Sequence, residues 1–391
     1  MIDGRDDRGG RRIRLGMVGG GEGAFIGAVH RIAARLDDRF ELVAGALSSS
    51  ADKARRSGEA LGLPADRIYD DFSAMAAAEA GRADPIEAVA IVTPNHVHAP
   101  AAKAFLDAGI HVICDKPMTL TLAEARDLRA AAERSGRVFV LTHNYTGYPL
   151  VRQARAMVRA GDLGTIRIVQ AEYPQDWLAE RTEATGNKQA EWRTDPSRSG
   201  AGGCIGDIGT HAYNLADFVT GLELREVCAE LSTFVDGRRV DDNAQLMLRY
   251  GNGARGSLWA SQVAVGHENG LRLRVYGTRG SLEWVQAEPN RLLWSRLGEP
   301  QMILTRGGPQ TGPDASRVTR VPAGHPEGYL EAFATIYSEA AEAILAAREG
   351  HPVGQDVMHP TALDGVKGLA FIEAAIRSSA EGARWVAVEA P

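Results

Sequence analysis

Arg14-Leu-Gly-Met-Val18, then Gly19-Gly-Gly-Glu-Gly-Ala-Phe-Ile-Gly27, then the stretch Ala28 to Leu36 decide the fold of this chain. The first five residues suit a short buried strand. The last stretch sets Val29, Ile32, Ala33 and Leu36 on one stripe, which predicts an amphipathic helix. Between them Gly19, Gly21 and Ala24 fit the pattern G-x-G-x-x-G/A, with Phe25 and Ile26 next to them at the predicted phosphate turn. Glycines permit a tight turn and let the backbone approach a pyrophosphate, while the helix N-terminus offers unpaired N–H groups and a favourable dipole. The run on to Gly27 predicts a turn longer than usual and leaves open which glycine meets phosphate.

Outward from this turn, strand and helix alternate. Phe40 to Leu47, Ala88 to Val92, His111 to Cys114 and Val138 to Leu141 read as strands, with helices over Ala51–Leu61, Pro100–Ala108 and Leu122–Ser135. This rhythm predicts a parallel sheet wrapped by helices. After about residue 145 it changes. A helix over Tyr148–Ala160 leads into strand-like runs at Ile166–Tyr173, Glu226–Val235, Ala244–Tyr250, Ala254–Val263, Leu271–Tyr276 and Ser281–Val285. Tyr250-Gly-Asn-Gly253 and Gly277-Thr-Arg-Gly280 are hairpin signals, so an open, mostly antiparallel sheet is expected here. Tyr329–Arg348 and Leu363–Ser379 read as helices. The expected division is a disordered tail over 1–12, a nucleotide-binding domain over 13–145 and an α+β domain over 146–391 for substrate and oligomerisation, whose last helices have the option of packing back on the first.

Composition narrows the function. The chain has 391 residues, a hydrophobic fraction of 44%, a charged fraction of 24% and a formal charge of −6, which gives no reason to expect nucleic acid or a membrane surface. No apolar run approaches the ~20 residues a spanning helix needs. The charged N-terminus lacks the apolar core of a secretory signal. Cys114, Cys204 and Cys228 are three and scattered, which fits a reducing cytoplasm better than a disulfide framework. His96 and His98 have no third ligand nearby, so no metal site is expected.

Two further runs carry chemistry. Asp115-Lys116-Pro117 leaves a strand end, and Asp207 and His211 stand four apart in Gly202-Gly-Cys-Ile-Gly-Asp-Ile-Gly-Thr-His211. On a helix, such spacing puts both side chains on one face. Oxidising a secondary alcohol needs a base for the hydroxyl proton and a nicotinamide for the hydride. His211 titrates near neutrality and is the candidate base. Lys116 is placed to stabilise alkoxide character, and Asp207 to bind a neighbouring hydroxyl. Thr93, Asn95 and His96 follow a strand at the edge where an open parallel sheet binds its cofactor, although a simple Asn turn accounts for them too. Asp115 and Asn144 complete the expected cofactor set. Tyr145, Trp192, Arg193 and His325 are candidates for substrate, His325 standing equally well in a loop that caps a helix. At the end of the second strand no acid appears; Ser48, Ser49 and Lys53, with Arg55 and Arg56 beyond, lean toward the 2′-phosphate of NADP over NAD. An exposed basic helix start explains the same run. His30, His267, His351 and His359 are read as structural.

Taken in order, Thr93-Pro-Asn-His96, Asp115-Lys-Pro117, Glu191-Trp-Arg193 and the Gly202–His211 run resemble the signatures of the glucose–fructose oxidoreductase / inositol dehydrogenase family over nearly the whole chain. The resemblance implies a Rossmann NAD(P)-binding domain and an α+β domain whose open sheet often builds a dimer or tetramer. It implies hydride transfer between NAD(P) and a hydroxyl or carbonyl of a sugar, an inositol or a related polyol. Three positions depart from it: Asp115 stands for the usual Glu, Asn214 for an acid and Cys204 for a third glycine. With no phosphate clamp in view, an unphosphorylated cyclic substrate is expected: an inositol, an anhydrosugar or a glycoside. The competing reading is a non-catalytic NAD(P)-binding sensor of the same fold; a third is an enzyme that recycles NADP without releasing it.

Overall fold

Ile13–Gly19 forms the first strand, β1, and Leu15, Met17 and Val18 along it are almost wholly buried. The computed structural model describes residues 11–391, so positions 1–10 of the expected tail lie outside the described residues. The chain divides into two compact units. The first comprises the described residues up to Thr119, Ala123–Gly147 and Tyr329–Val366; the second comprises Leu120–Leu122, Tyr148–Gly328 and Lys367–Pro391.

In the first unit β1 is followed by α1 (Phe25–Leu36), β2 (Phe40–Ala46), α2 (Ala51–Ala60), α3 (Phe72–Ala80), β3 (Ala88–Val92), α4 (His98–Asp107), β4 (His111–Cys114), α5 (Leu122–Ser135) and β5 (Phe139–Leu141). The sheet order is β2-β1-β3-β4-β5, parallel throughout. Central β3 is buried along its full length, as expected of a parallel strand covered on both faces. Burying each of its Val and Ile side chains contributes roughly 1.5–3 kcal/mol. Helix α3 was not anticipated, because its Ala-rich sequence shows no apolar stripe; it starts at Asp71, whose carboxylate accepts from the Ser73 and Ala74 N–H groups at 2.8 Å.

The helix Tyr329–Glu349, distant in sequence, belongs to this unit. Its Phe333, Ile336, Tyr337, Ala340 and Ile344 share a core with Val29, Ala33 and Phe40. His30 sits inside that core with Nδ1 2.8 Å from the Tyr337 hydroxyl. Burial lowers the pKa of His30 to about 4. His111, whose Nδ1 accepts from the Val138 N–H at 2.9 Å, is also lowered to about 4, again mainly by burial. The unfolded chain therefore takes up protons on these rings below pH ~6.5 while the native state resists until about 4. Their contribution is present in full above ~6.5 and is lost as pH falls through that window, at most about 3 kcal/mol for each ring. Urea midpoints measured across that pH range should fall on acidification, and His30→Phe should flatten the dependence.

The second unit carries β6 (Ile166–Pro174), β7 (Leu224–Ser232), β8 (Asn243–Tyr250), β9 (Arg255–Ser261), β10 (Arg272–Gly277), β11 (Gly280–Val285), β12 (Arg291–Arg296), β13 (Met302–Thr305) and β14 (Val386–Ala387). They form one sheet ordered β13-β12-β11-β10-β6-β9-β8-β7-β14, antiparallel except for the β6–β9 pair. The two glycine signals do close the β8–β9 and β10–β11 hairpins. Along β8, Ala244, Leu246, Leu248 and Tyr250 are buried while Gln245 and Met247 face out, the alternation of a sheet with one covered face. Helices Pro149–Arg159 and Thr210–Thr220 pack against the sheet. Among the described residues no helix is long and apolar enough to cross a membrane.

Candidate active site

In the first unit the glycine turn, the end of β3 and the end of β4 meet at the C-terminal edge of the sheet. Gly19 pairs in register with Val92, so the turn after β1 lies beside Thr93. Here the chain connections leave for opposite sides, and open α/β sheets bind ligands at such a point. Gly19 and Gly20 have φ of +78° and +72°, a region costly for any residue with a Cβ. The structure identifies the close-packing glycines, which the sequence left open. A Cβ on Gly27 would stand 2.3 Å from the Gly20 Cα, so Gly20 and Gly27, rather than Gly21 and Ala24, let α1 lie against the strand end. The turn is longer than the motif, as the run Phe25-Ile-Gly27 suggested. Ala24 is the extended residue before α1 and makes no side-chain cap, Phe25 is 68% exposed and Ile26 packs on the core.

Backbone N–H groups tie the turn to the residue after β2 and to α2: Gly21 N–H donates to Leu47 O at 3.2 Å and Glu22 N–H to Ser57 Oγ at 3.0 Å. Ser48 is half-buried and Ser49 exposed at the β2 end, with Lys53 one turn into α2. Ser48 Oγ accepts from Ser50 N–H, while Arg55 pairs with Glu59 and Arg56 with Glu22 at 3.6 Å. Thr93 Oγ1 and Asn144 Nδ2 are both buried without a hydrogen-bond partner. Asn95 is buried in a short helical turn, His96 beside it is exposed, and Tyr145 is buried next to Asn144. Uncapped helix N–H groups, glycines at the β1 end and two orphaned polar atoms fit a dinucleotide.

The Lys116 backbone is held tightly. Asp115 N–H donates to Ile91 O at 3.0 Å, and Asp115 Oδ1 accepts from Thr142 Oγ1 at 2.7 Å and from Lys116 N–H at 3.0 Å. The Lys116–Pro117 peptide is cis. Thr142 was not singled out in the sequence; nothing there separates it from any threonine ending a strand.

In the second unit the Asp207–His211 segment does not form one regular α-helix. Ile205–Gly209 is a π-helical turn that runs into the helix Thr210–Thr220, a widening that recurs at functional sites. The turn is pinned from outside: Asp241 accepts from Gly203 N–H at 2.6 Å and from Ile205 N–H at 2.8 Å, and its carbonyl accepts from Cys204 N–H at 2.9 Å. Burial pushes the Asp241 carboxyl above its ordinary range, against the opposing pull of those N–H groups. A Cβ on Gly203 would meet Asp241 O at 2.0 Å, so this approach requires glycine. Cys204 is fully buried with its thiol toward Ala260 O, and Asn214 is buried in the helix.

Asp207 Oδ2 accepts from Gln262 Nε2 at 2.8 Å and lies 3.3 Å from Arg193 Nε. Arg193 in turn stacks over Trp192 at 4.2 Å, with Trp177 at 6.0 Å. His211 is 7% exposed, its ring 6.2 Å from that of Tyr173. The structure therefore brings Trp192, Arg193 and Asp207 into one polar cluster and adds Gln262 and Trp177, which sequence reasoning missed because they come from separate strands. His325 is exposed in a loop, and its carbonyl accepts from Arg306. Among the described residues no cluster of His, Cys, Asp and Glu is suited to hold a metal.

Comparison with known proteins identifies the family of both parts of the chain. A model described as an oxidoreductase family with an NAD-binding Rossmann fold matches residues 13–154, and a GFO/IDH/MocA C-terminal domain matches residues 151–283. The crystal structure of an oxidoreductase from Sinorhizobium meliloti is 57% identical, with a TM-score of 0.88 over 96% of this chain and 100% of that one. An inositol dehydrogenase homologue from Azotobacter vinelandii, complexed with NADH and myo-inositol, is 37% identical, with a TM-score of 0.90 over 96% of this chain and 98% of that one. A levoglucosan dehydrogenase from Pseudarthrobacter phenanthrenivorans is 31% identical over 70% of this chain and 73% of its own length.

Proposed function

Because this chain belongs to the GFO/IDH/MocA family of NAD-binding oxidoreductases, we propose that it oxidises a secondary hydroxyl of an uncharged cyclic polyol, or reduces the corresponding ketone. The observation that carries this reading is the held Asp207 carboxylate, four residues before His211 on a segment pinned by Asp241. The glycine turn and the strand ends beside Thr93 and Asn144 would hold NAD(P), which would supply the hydride acceptor for the carbinol carbon. His211 takes the hydroxyl proton. The Lys116 ammonium stabilises the oxygen as negative charge develops on it. Asp207, its charge offset by Arg193 and its Oδ2 hydrogen-bonded by Gln262, accepts a hydrogen bond from a neighbouring hydroxyl, and Trp192 and Arg193 wall the same cluster.

Arg193 is already engaged with Asp207, which favours a neutral substrate over a sugar phosphate. The relatives named for inositol and levoglucosan support an inositol or an anhydrosugar. For the cofactor we favour NAD over NADP, against the lean taken from Ser48, Ser49 and Lys53. The Azotobacter relative holds NADH, and Glu22 sets a carboxylate beside Arg56, where it opposes a dianionic 2′-phosphate. Self-association through the outer face of the second sheet belongs to the same proposal. Ile168, Met247, Tyr276 and Ile303 are 45%, 52%, 36% and 55% exposed there, and Ile168 pairs directly with Tyr276.

The test is the near-ultraviolet absorbance of reduced nicotinamide, followed with NAD and NADP separately against inositols, aldoses, anhydrosugars and glycosides. Turnover of a cyclic polyol, faster with NAD, is expected. Tight cofactor binding by calorimetry without turnover across the panel would transfer the weight to a nucleotide-binding sensor.

A further inference from the structure

His98 opens α4 and is completely buried. Its Nδ1 lies 2.8 Å from the Pro117 carbonyl oxygen and its Nε2 2.9 Å from that of Thr93. Both partners are acceptors only, so each ring nitrogen faces a group that can use nothing but an N–H. A neutral imidazole has a single N–H and sets a lone pair against the second carbonyl, whereas the protonated ring satisfies both. Burial lowers the pKa of this ring, while Asp115 and the two carbonyls raise it, and Lys116 opposes protonation. In either state one side chain spans the residue after β3 and the residue after Lys116. Upstream, the Lys116 N–H is already tied to Asp115, which Thr142 and Ile91 hold in turn. His98 is the corresponding tie downstream.

We propose that His98 is a positioning residue for Lys116, its ring bridging the Thr93 and Pro117 carbonyls and so fixing the strand-end loop from which the Lys116 ammonium projects. This rests on the proposed role of Lys116 in hydride transfer. Thr93 belongs to the expected cofactor edge, so the bridge also couples that edge to the lysine. A misplacement of about 1 Å at a reacting group costs up to roughly 100-fold in rate, which sets the size of the effect.

Two variants test the bridge. His98→Asn keeps a shorter polar group that cannot reach both carbonyls; His98→Phe keeps a ring and removes both ring nitrogens. Each is expected to lower kcat roughly 10- to 100-fold, with the dissociation constant for NAD(H) within about threefold of the parent. In a double-mutant cycle the His98→Asn loss should disappear in a Lys116→Ala background. Additive losses, or an unchanged kcat in the folded variant, overturn the proposal.

A second readout needs no substrate. The chain has five lysines, Lys53, Lys103, Lys116, Lys188 and Lys367, so ¹³C-dimethyl-lysine NMR gives a short spectrum in which Lys116 is assigned by its loss in Lys116→Ala. The Lys116 resonance should shift in His98→Asn while those of Lys188 and Lys367 stay. An unmoved Lys116 signal overturns the positioning role even where no polyol is turned over, and a moved signal without turnover counts against the proposed reaction alone. If His98→Phe does not fold, His98→Asn carries both readouts.

Discussion

His211→Ala should lower kcat by about 1,000-fold, the middle of the range for removing a general base, while NAD(H) binds as tightly as before. The ring is buried with Tyr173 beside it, and the π-helical turn before it is anchored by Asp241. Truncation at 211 should therefore leave the turn, and Asp207 on it, in place. Lys116→Ala belongs to the same test, with an expected loss of about 100- to 1,000-fold for removing one electrostatic donor. Calorimetric titration with NADH separates the outcomes. A variant that binds cofactor and has lost turnover supports the assigned roles. A His211→Ala protein that retains more than about a tenth of the parent kcat removes His211 as the base.

Gly27→Val should abolish cofactor binding and destabilise the first unit. The added Cβ would lie 2.3 Å from the Gly20 Cα and 2.4 Å from the Gly20 carbonyl oxygen, both backbone atoms that cannot swing aside. Helix α1 then has to lift from the strand end, at a cost of about 1–3 kcal/mol for overpacking and more if the turn breaks. The N–H groups at its start move with it, and they are the groups offered to phosphate. Gly23→Ala is the control. Gly23 has φ of +77° but nothing within 4 Å of a built Cβ, so it should show only the left-handed backbone penalty of roughly 1–2 kcal/mol. Urea unfolding and NADH fluorescence titration on the two variants check the contrast. Retained NADH binding in Gly27→Val would mean that the contact with Gly20 does not shape the phosphate turn.

Much of the site was legible because its chemistry lies in short runs. Asp115-Lys-Pro117 ends a strand that is apolar throughout, and a lysine placed there has few structural reasons to exist. Asp207 and His211 stand four apart, a spacing that puts both side chains on one face of a helical turn. Other parts of the site left no mark. Asp241 lies 34 positions beyond Asp207, yet its carboxylate is what closes the turn. Gln262 follows β9 and Trp177 follows β6, and only the parallel pairing of those strands brings their ends to one edge. His98 has no third ligand nearby in the sequence for a metal, and its two ring nitrogens instead face the Pro117 and Thr93 carbonyls.

The sequence by itself determined the parallel sheet, the change to hairpins after about residue 145, the glycine turn and the family. Each of these rests on periodicity or on residues adjacent in the chain, where local sterics and burial act directly. Tertiary structure alone decided which glycine carries the helix against the strand, that Tyr329–Glu349 returns to the first core around His30, and that Asp207 is held by Gln262 and Arg193. Those outcomes depend on packing distances between segments far apart in sequence, and no local propensity encodes them.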